Sequence, residues 1–136
     1  MRSMIGKIDD EINETIEVLK SFDSIHSIIL FGSRARGVQG KDIDLCIIPS
    51  KELDLRERLS IESIVPDNVD ISVFFDLPIH IRKRIFEEGH VLHTREMYYV
   101  LTLLKENDFE YSDYKRHREY YNSAMKERMK KKVSKN

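Results

Sequence analysis

Residues Phe31–Leu45 read FGSRARGVQGKDIDL, with glycines, two arginines and two aspartates lying between aliphatic runs. On its N-terminal side Ile25–Phe31 (IHSIILF) is short, β-branched and closed by Gly32. On its C-terminal side Ile43–Ile48 (IDLCII) has the same character and is stopped by Pro49. Short, nearly continuous apolar runs bounded by turn residues predict strands covered on both faces. The quoted stretch is therefore a strand–loop–strand unit with its polar residues gathered at one end of a sheet.

Working outward, Ile5, Ile8, Ile12, Ile16 and Leu19 recur at helical spacing and predict an amphipathic helix from Ile5 to Phe22, with acids early in it. After Pro49, Leu53–Ile64 predicts a helix carrying Leu55, Leu59 and Ile61, and Pro66, Asp67 and Asn68 turn the chain. Val69–Phe75 (VDISVFF) predicts a third strand. Pro78 opens a helix to about Glu88 that Gly89 stops. Val91–His93 suits a short edge strand. Two helices follow, Glu96–Lys105 and Tyr111 to about Lys131, with a polar break at Asn107 and Asp108. This alternation predicts an α/β domain, a small sheet flanked by helices.

The loop resembles known phosphate and calcium loops only in part. Gly32 and Gly37 mimic the start of a P-loop, but Val38 follows Gly37, and Asp42 follows Gly40-Lys41 where a P-loop has Ser or Thr. After Asp42 and Asp44 the chain turns apolar, which excludes an EF-hand loop. The aspartates carry more information. Asp42 and Asp44 are one residue apart at a strand entry, so they share a face. Two such carboxylates repel unless a cation lies between them, and Mg²⁺ prefers hard oxygen ligands together with phosphate oxygens. Asp70, between Val69 and Ile71, is a third acid, in a setting where an unpartnered charge would be costly. If its strand neighbours that of Asp44, three carboxylates converge, a set able to hold two metal ions. Gly32 would then admit triphosphate close to the backbone, Ser33 would donate to it, and Arg34 and Arg36 are candidates for phosphate contacts.

FGSRARG followed by DIDL, then an isolated aspartate in VDISVF, resembles the minimal nucleotidyltransferases of the DNA polymerase β superfamily over about residues 22–93. DLPIHIRKRIFEEGHVLH resembles the downstream helix and glycine turn of prokaryotic members. The resemblance implies a polymerase β type fold and transfer of a nucleoside monophosphate, AMP from ATP, to a hydroxyl. It implies Asp42, Asp44 and Asp70 as catalytic metal ligands for one or two Mg²⁺ ions, and Gly32 and Ser33 as triphosphate contacts. It also implies a HEPN-domain protein partner, since several members act as antitoxins that adenylylate a tyrosine of such a toxin. Two departures stand out: only eight residues separate Ser33 from Asp42, a shorter loop than is common in the group, and Lys41 replaces the usual serine before the first aspartate.

A chain of 136 residues suits one domain with a real core. We read residues 1–110 as the nucleotidyltransferase core and 111–136 as a basic helix and tail. With 40% hydrophobic and 35% charged residues and a net charge of −1, nothing suggests disorder. Nine basic residues against two acidic ones from Lys115 onward, interleaved with tyrosines, suit RNA, an acidic partner or another subunit. The single cysteine, Cys46, reads as a buried, inert thiol, and its setting fits a reducing cytosol. No apolar run approaches the roughly 18 residues of a membrane span, and the early acids leave no signal-peptide core. The five histidines lack metal-ligand spacing, and Arg82, Lys83 and Arg84 read as a solvated helix face. Two other readings of the same residues are a non-catalytic nucleotide- or toxin-binding module and a transferase acting on RNA or a small molecule.

Overall fold

The computed structural model describes residues 6–37 and 42–134. The elements are α1 (Gly6–Lys20), β1 (Ile25–Phe31), β2 (Ile43–Pro49), α2 (Leu55–Ile64), β3 (Val69–Val73), α3 (Ile79–Glu88), β4 (His90–Thr94) and α4 (Met97–Ser134). The strands form one sheet in the order β3-β2-β1-β4. β1 pairs antiparallel with both β2 and β4, whereas β2 and β3 are parallel, as a helical crossover through α2 requires.

Alternation along the strands feeds two cores. Ile28 and Leu30 of β1 and Ile43, Leu45 and Ile47 of β2 pack with Ile12, Ile16 and Leu19 of α1 and Ile61 of α2. Ile29, Cys46 and Ile48 face the other way, onto Phe74, Ile85 of α3, and Val100 and Leu103 of α4. The sheet is thus sandwiched between helix pairs, and that is why IILF and LCII are apolar throughout. Cys46 is fully buried, and burial pushes its thiol up to about 12, so it stays protonated and unreactive.

Four expectations change in the smaller elements. Residue 5 lies outside the described residues, so α1 is followed only from Gly6. In α2 the helix starts at Leu55, capped by the Asp54 carboxylate accepting from the Glu57 amide at 2.8 Å. Leu55 and Leu59 point to solvent, and Leu53 and Ile61 are the buried pair. β3 stops at Val73 because Phe74–Asp76 fold into a 3₁₀ turn that drives Phe74 into the core. β4 is longer than expected and pairs with β1 from Ser27 to Leu30.

The largest change is in α4, which runs unbroken for 38 residues, about 57 Å at 1.5 Å per residue. The expected break at Asn107 and Asp108 is a helix–helix contact: Asn107 is buried, and Asp108 accepts from Lys83 Nζ of α3 at 3.1 Å. Packing here overrides the weak helix propensity of Asn and Asp. Every residue from 112 to 132 is exposed. Among the described residues no helix is long and apolar enough to cross a membrane.

Gly89 stops α3 as expected, its amide bonded to the Ile85 carbonyl at 2.7 Å. Its backbone is not left-handed. The glycine is required because a β-carbon there would overlap the Ile85 carbonyl and press on the Ile29 side chain, so α3 closes directly onto β1.

Candidate active site at the sheet end

The carboxylates meet where β1 ends and β2 and β3 begin. Register places Asp44 between Phe31 of β1 and Asp70 of β3. Asp44 shares the face of Cys46 and Ile48, and Asp70 is its register partner on β3, so both project on the α3 side of the sheet. Asp42 lies just before β2, two residues from Asp44, and is exposed. Asp44 is half-buried. Burial holds its carboxyl above the ordinary value of 3.8, and the negative charges of Asp70 and then Asp42 push it further the same way. Asp70 and Asp42 therefore both act on Asp44 electrostatically. Asp70 is exposed on an edge strand, so the expected burial penalty on its charge does not apply.

Gly32 begins the loop with φ +78°, a conformation that favours glycine. A β-carbon at this position would overlap Asp44 Oδ2, so the main chain of the loop lies directly against the carboxylate. The next residues wind into a tight turn: the Arg36 amide donates to the Ser33 carbonyl at 3.1 Å and the Gly37 amide to the Arg34 carbonyl at 3.1 Å. Gly37 closes it at φ +80°, with open space around it. Ser33 and Arg34 are half-buried on this turn. Lys41 and the shortened stretch before Asp42 lie outside the described residues.

Two fastenings that the sequence reading missed hold the turn from the other side. Arg36 Nη1 meets Glu88 Oε2 at the end of α3 at 3.1 Å, and His90 Nε2 of β4 is 2.9 Å from the Ala35 carbonyl. The partners are 52 and 55 residues apart, and no local spacing signals such a pair. Arg82 and Lys83 are likewise joints and not a solvated face. Arg82 donates to the Phe74 and Phe75 carbonyls at 3.1 and 2.8 Å, and Lys83 bonds Asp108.

Between the turn and α3 lies a cleft of about 140 Å³ lined by Phe31, Gly32, Arg36, Ile81, Arg84, Ile85 and Glu88. A second, of about 280 Å³, lies beside Asp70. Two further clefts, of about 230 and 420 Å³, surround Arg58 and Asp76 and contain none of the site residues. The carboxylate end of the sheet is an open shelf, too small to enclose a nucleotide of ordinary ligand size.

The family described as "Polymerase beta, Nucleotidyltransferase" matches residues 13–98, which span the sheet, the turn and all three acids. The chain belongs to the polymerase beta nucleotidyltransferase family. Its fold is also that of solved relatives. A chain of a tri-AMPylated Shewanella oneidensis HEPN toxin in complex with MNT antitoxin superposes with a TM-score of 0.68 at 17% identity, over 86% of this chain and 97% of that one. A chain of a toxin–antitoxin with AMP-PNP gives 0.66 at 18% identity, over 85% and 96%. A chain of the toxin–antitoxin MntA-HepT gives 0.67 at 16% identity, over 86% and 97%. No curated protein matches the chain.

For this nucleotidyltransferase, the donor set of Asp42, Asp44 and Asp70 fits a hard divalent cation in chemistry: three carboxylates, with Asp44 raised by its neighbours, gain from a positive charge among them. The set is open. Among the described residues no group of three His, Cys, Asp or Glu side chains is gathered closely enough to hold a metal ion.

Proposed function

We propose that the chain is a Mg²⁺-dependent nucleotidyltransferase that moves AMP from ATP to a hydroxyl, a tyrosine of a HEPN-type toxin partner, and so serves as its antitoxin. The observation that carries the reading is Asp44 in register with Asp70 and packed under the Gly32 backbone. This puts the carboxylates and the turn suited to triphosphate against each other. Similar solved structures with AMP-PNP and with an AMPylated HEPN toxin support this choice of nucleotide and acceptor class.

In this reading the turn Gly32–Gly37 receives the triphosphate, with Ser33 donating to its oxygens and Arg34 and Arg36 opposing its charge. Asp42, Asp44 and Asp70 would hold Mg²⁺, which when bound neutralises the triphosphate and lowers the pKa of the attacking hydroxyl. The acceptor oxygen bonds to the α-phosphorus as the α–β bridging bond breaks and pyrophosphate leaves. Asp70, exposed at the sheet edge, is placed to take the hydroxyl proton. The open shelf suits an acceptor presented by a macromolecule, because neither cleft among the described residues would surround a small one.

The test is to incubate the chain and a HEPN-domain protein from the same genome with Mg²⁺ and each of the four triphosphates, and to weigh both proteins intact. An ATP-dependent adduct on the partner is expected. It should vanish with Asp42→Ala plus Asp44→Ala, and adducts indifferent to that change would sink the proposal. The open carboxylate set favours one second reading, a nucleotide-binding module without turnover. Metal-dependent ATP binding with no adduct would select it.

A further inference from the structure

α4 leaves the body of the protein at Tyr114. Before that point Val100, Leu103, Asn107 and Tyr111 form its inward stripe, the first three buried and Tyr111 half-buried under Lys83 Nζ at 5.3 Å. Tyr114 stacks on His80 of α3 with ring centroids 6.5 Å apart. Steps of three and four residues keep these side chains on one helix face. The same steps continue through Arg118, Tyr121, Met125 and Met129, so the stripe that packs α4 onto the protein extends beyond it. There it is uncovered, with Tyr121 and Met129 each more than three-fifths exposed.

Most helical stability in proteins comes from tertiary packing, and the exposed arm has none among the described residues. Its composition adds a further cost. From Ser112 to Ser134 it carries eight Lys and Arg against three acids, and Lys126/Lys130 and Arg128/Lys132 set like charges one turn apart. An acidic surface with an apolar floor would relieve both defects. A second copy of the arm would bring like charges together. Nucleic acid would match the charge but give nothing for Met125 and Met129, flexible thioethers suited to irregular apolar protein surface.

We propose that residues 115–132 of α4 are a docking arm for an acidic-rimmed apolar groove on the protein that receives the nucleotide. This rests on the protein-modifying reading above. The arm roots beside His80, near the start of α3, while Glu88 at the other end of that helix fastens the nucleotide turn, about 12 Å away at 1.5 Å per residue. Docking and transfer thus use separate contacts. The arm holds the partner while another part of it reaches the carboxylates.

The test uses full-length chain carrying Tyr121→Ser, Met125→Ser and Met129→Ser, and separately Arg118→Glu with Arg128→Glu, which keeps the apolar stripe. Titration calorimetry with the HEPN-domain protein that takes the adduct, or that binds the wild-type chain, should show each set weakening the complex about 30-fold or more, as loss of central anchors does. Affinity for Mg²⁺-ATP should stay within about twofold of wild type, since the shelf is untouched. Partner affinity unchanged in both sets overturns the proposal. So does a wild-type homodimer that the Ser set dissolves, or a 20-nucleotide RNA whose binding alone is lost. The two readings fail separately. Transfer at unchanged KM in both variants removes the arm and keeps the chemistry, whereas an arm-dependent complex with no adduct keeps the arm and removes the chemistry.

Discussion

The backbone of Gly32 lies against the carboxylate of Asp44 so closely that no β-carbon fits between them. This contact joins the Gly32–Gly37 turn to the acidic strand, and it distinguishes the two left-handed glycines of the loop. Gly32→Ala would incur both the strain of φ +78° and an overlap that must displace the carboxylate. Gly37→Ala incurs only the strain of φ +80°, about 1 kcal/mol, because its surroundings are open. Thermal melts should show Gly37→Ala lowered by a few degrees with transfer activity within about threefold of wild type. Gly32→Ala should melt lower still and lose transfer by about 100-fold or more, as misplacement of a reacting group does. Equal activity in the two variants would show that the contact has no part in the chemistry.

Asp44 carries a charge that the fold resists. Its carboxyl is raised by burial first, then by Asp70 and Asp42, so the folded state holds the proton more tightly than the unfolded chain. The ionised form therefore costs stability above the folded value. That cost is relieved as pH falls through it and is gone below the unfolded value near 3.8. Asp44→Asn should accordingly melt higher than wild type at pH 7, with the gap closing on acidification. Added Mg²⁺ should raise the melting temperature of wild type and leave Asp44→Asn unmoved, because only a cation held by the native acids links to folding. A wild type indifferent to Mg²⁺ would contradict the metal assignment.

Arg36 stands between two partners. It is engaged with Glu88, yet it borders the cleft beside Gly32. Both ends of the pair are well exposed, so breaking it costs at most about 1 kcal/mol. If Arg36 turns to the triphosphate when nucleotide binds, Arg36→Ala should raise KM for ATP about tenfold, while Glu88→Gln, which frees the guanidinium, should not raise it. Steady-state kinetics of the two variants decide this, since matching increases would mean that the pair only fastens the turn.

Most of this site was legible in the sequence, for reasons that also explain what was not. β1 and β2 were found at or within one residue of their limits because strands covered by helices on both faces must be apolar throughout, and Gly32 and Pro49 end them sharply. That Asp44 and Asp70 converge was conditional on their strands being neighbours, and the parallel register of β2 and β3 meets that condition. Phe74 misled because an aromatic turned inward by a 3₁₀ turn looks the same in sequence as one more strand residue. Arg82, Glu88 and His90 were invisible as joints, since a charged residue near a helix end says nothing of a carbonyl or ion partner on a distant segment. Polar residues at 107 and 108 signalled a break, and the structure instead places them at the contact with α3.

That contact yields the last prediction. Asn107 is 3% exposed, and neither its Nδ2 nor its Oδ1 has a hydrogen-bond partner among the described residues, while Leu103, one turn earlier on the same face, is apolar. A buried amide without partners is a net cost, and replacing it with an apolar side chain of similar volume removes that cost and adds apolar burial. Asn107→Leu should therefore stabilise the protein by about 1–2 kcal/mol and raise its melting temperature by several degrees. Asn107 lies among α3-facing residues away from the carboxylates, so ATP turnover should be unchanged. A lower melting temperature in calorimetry would mean that the amide is satisfied by a bound water, whose loss the leucine cannot repair.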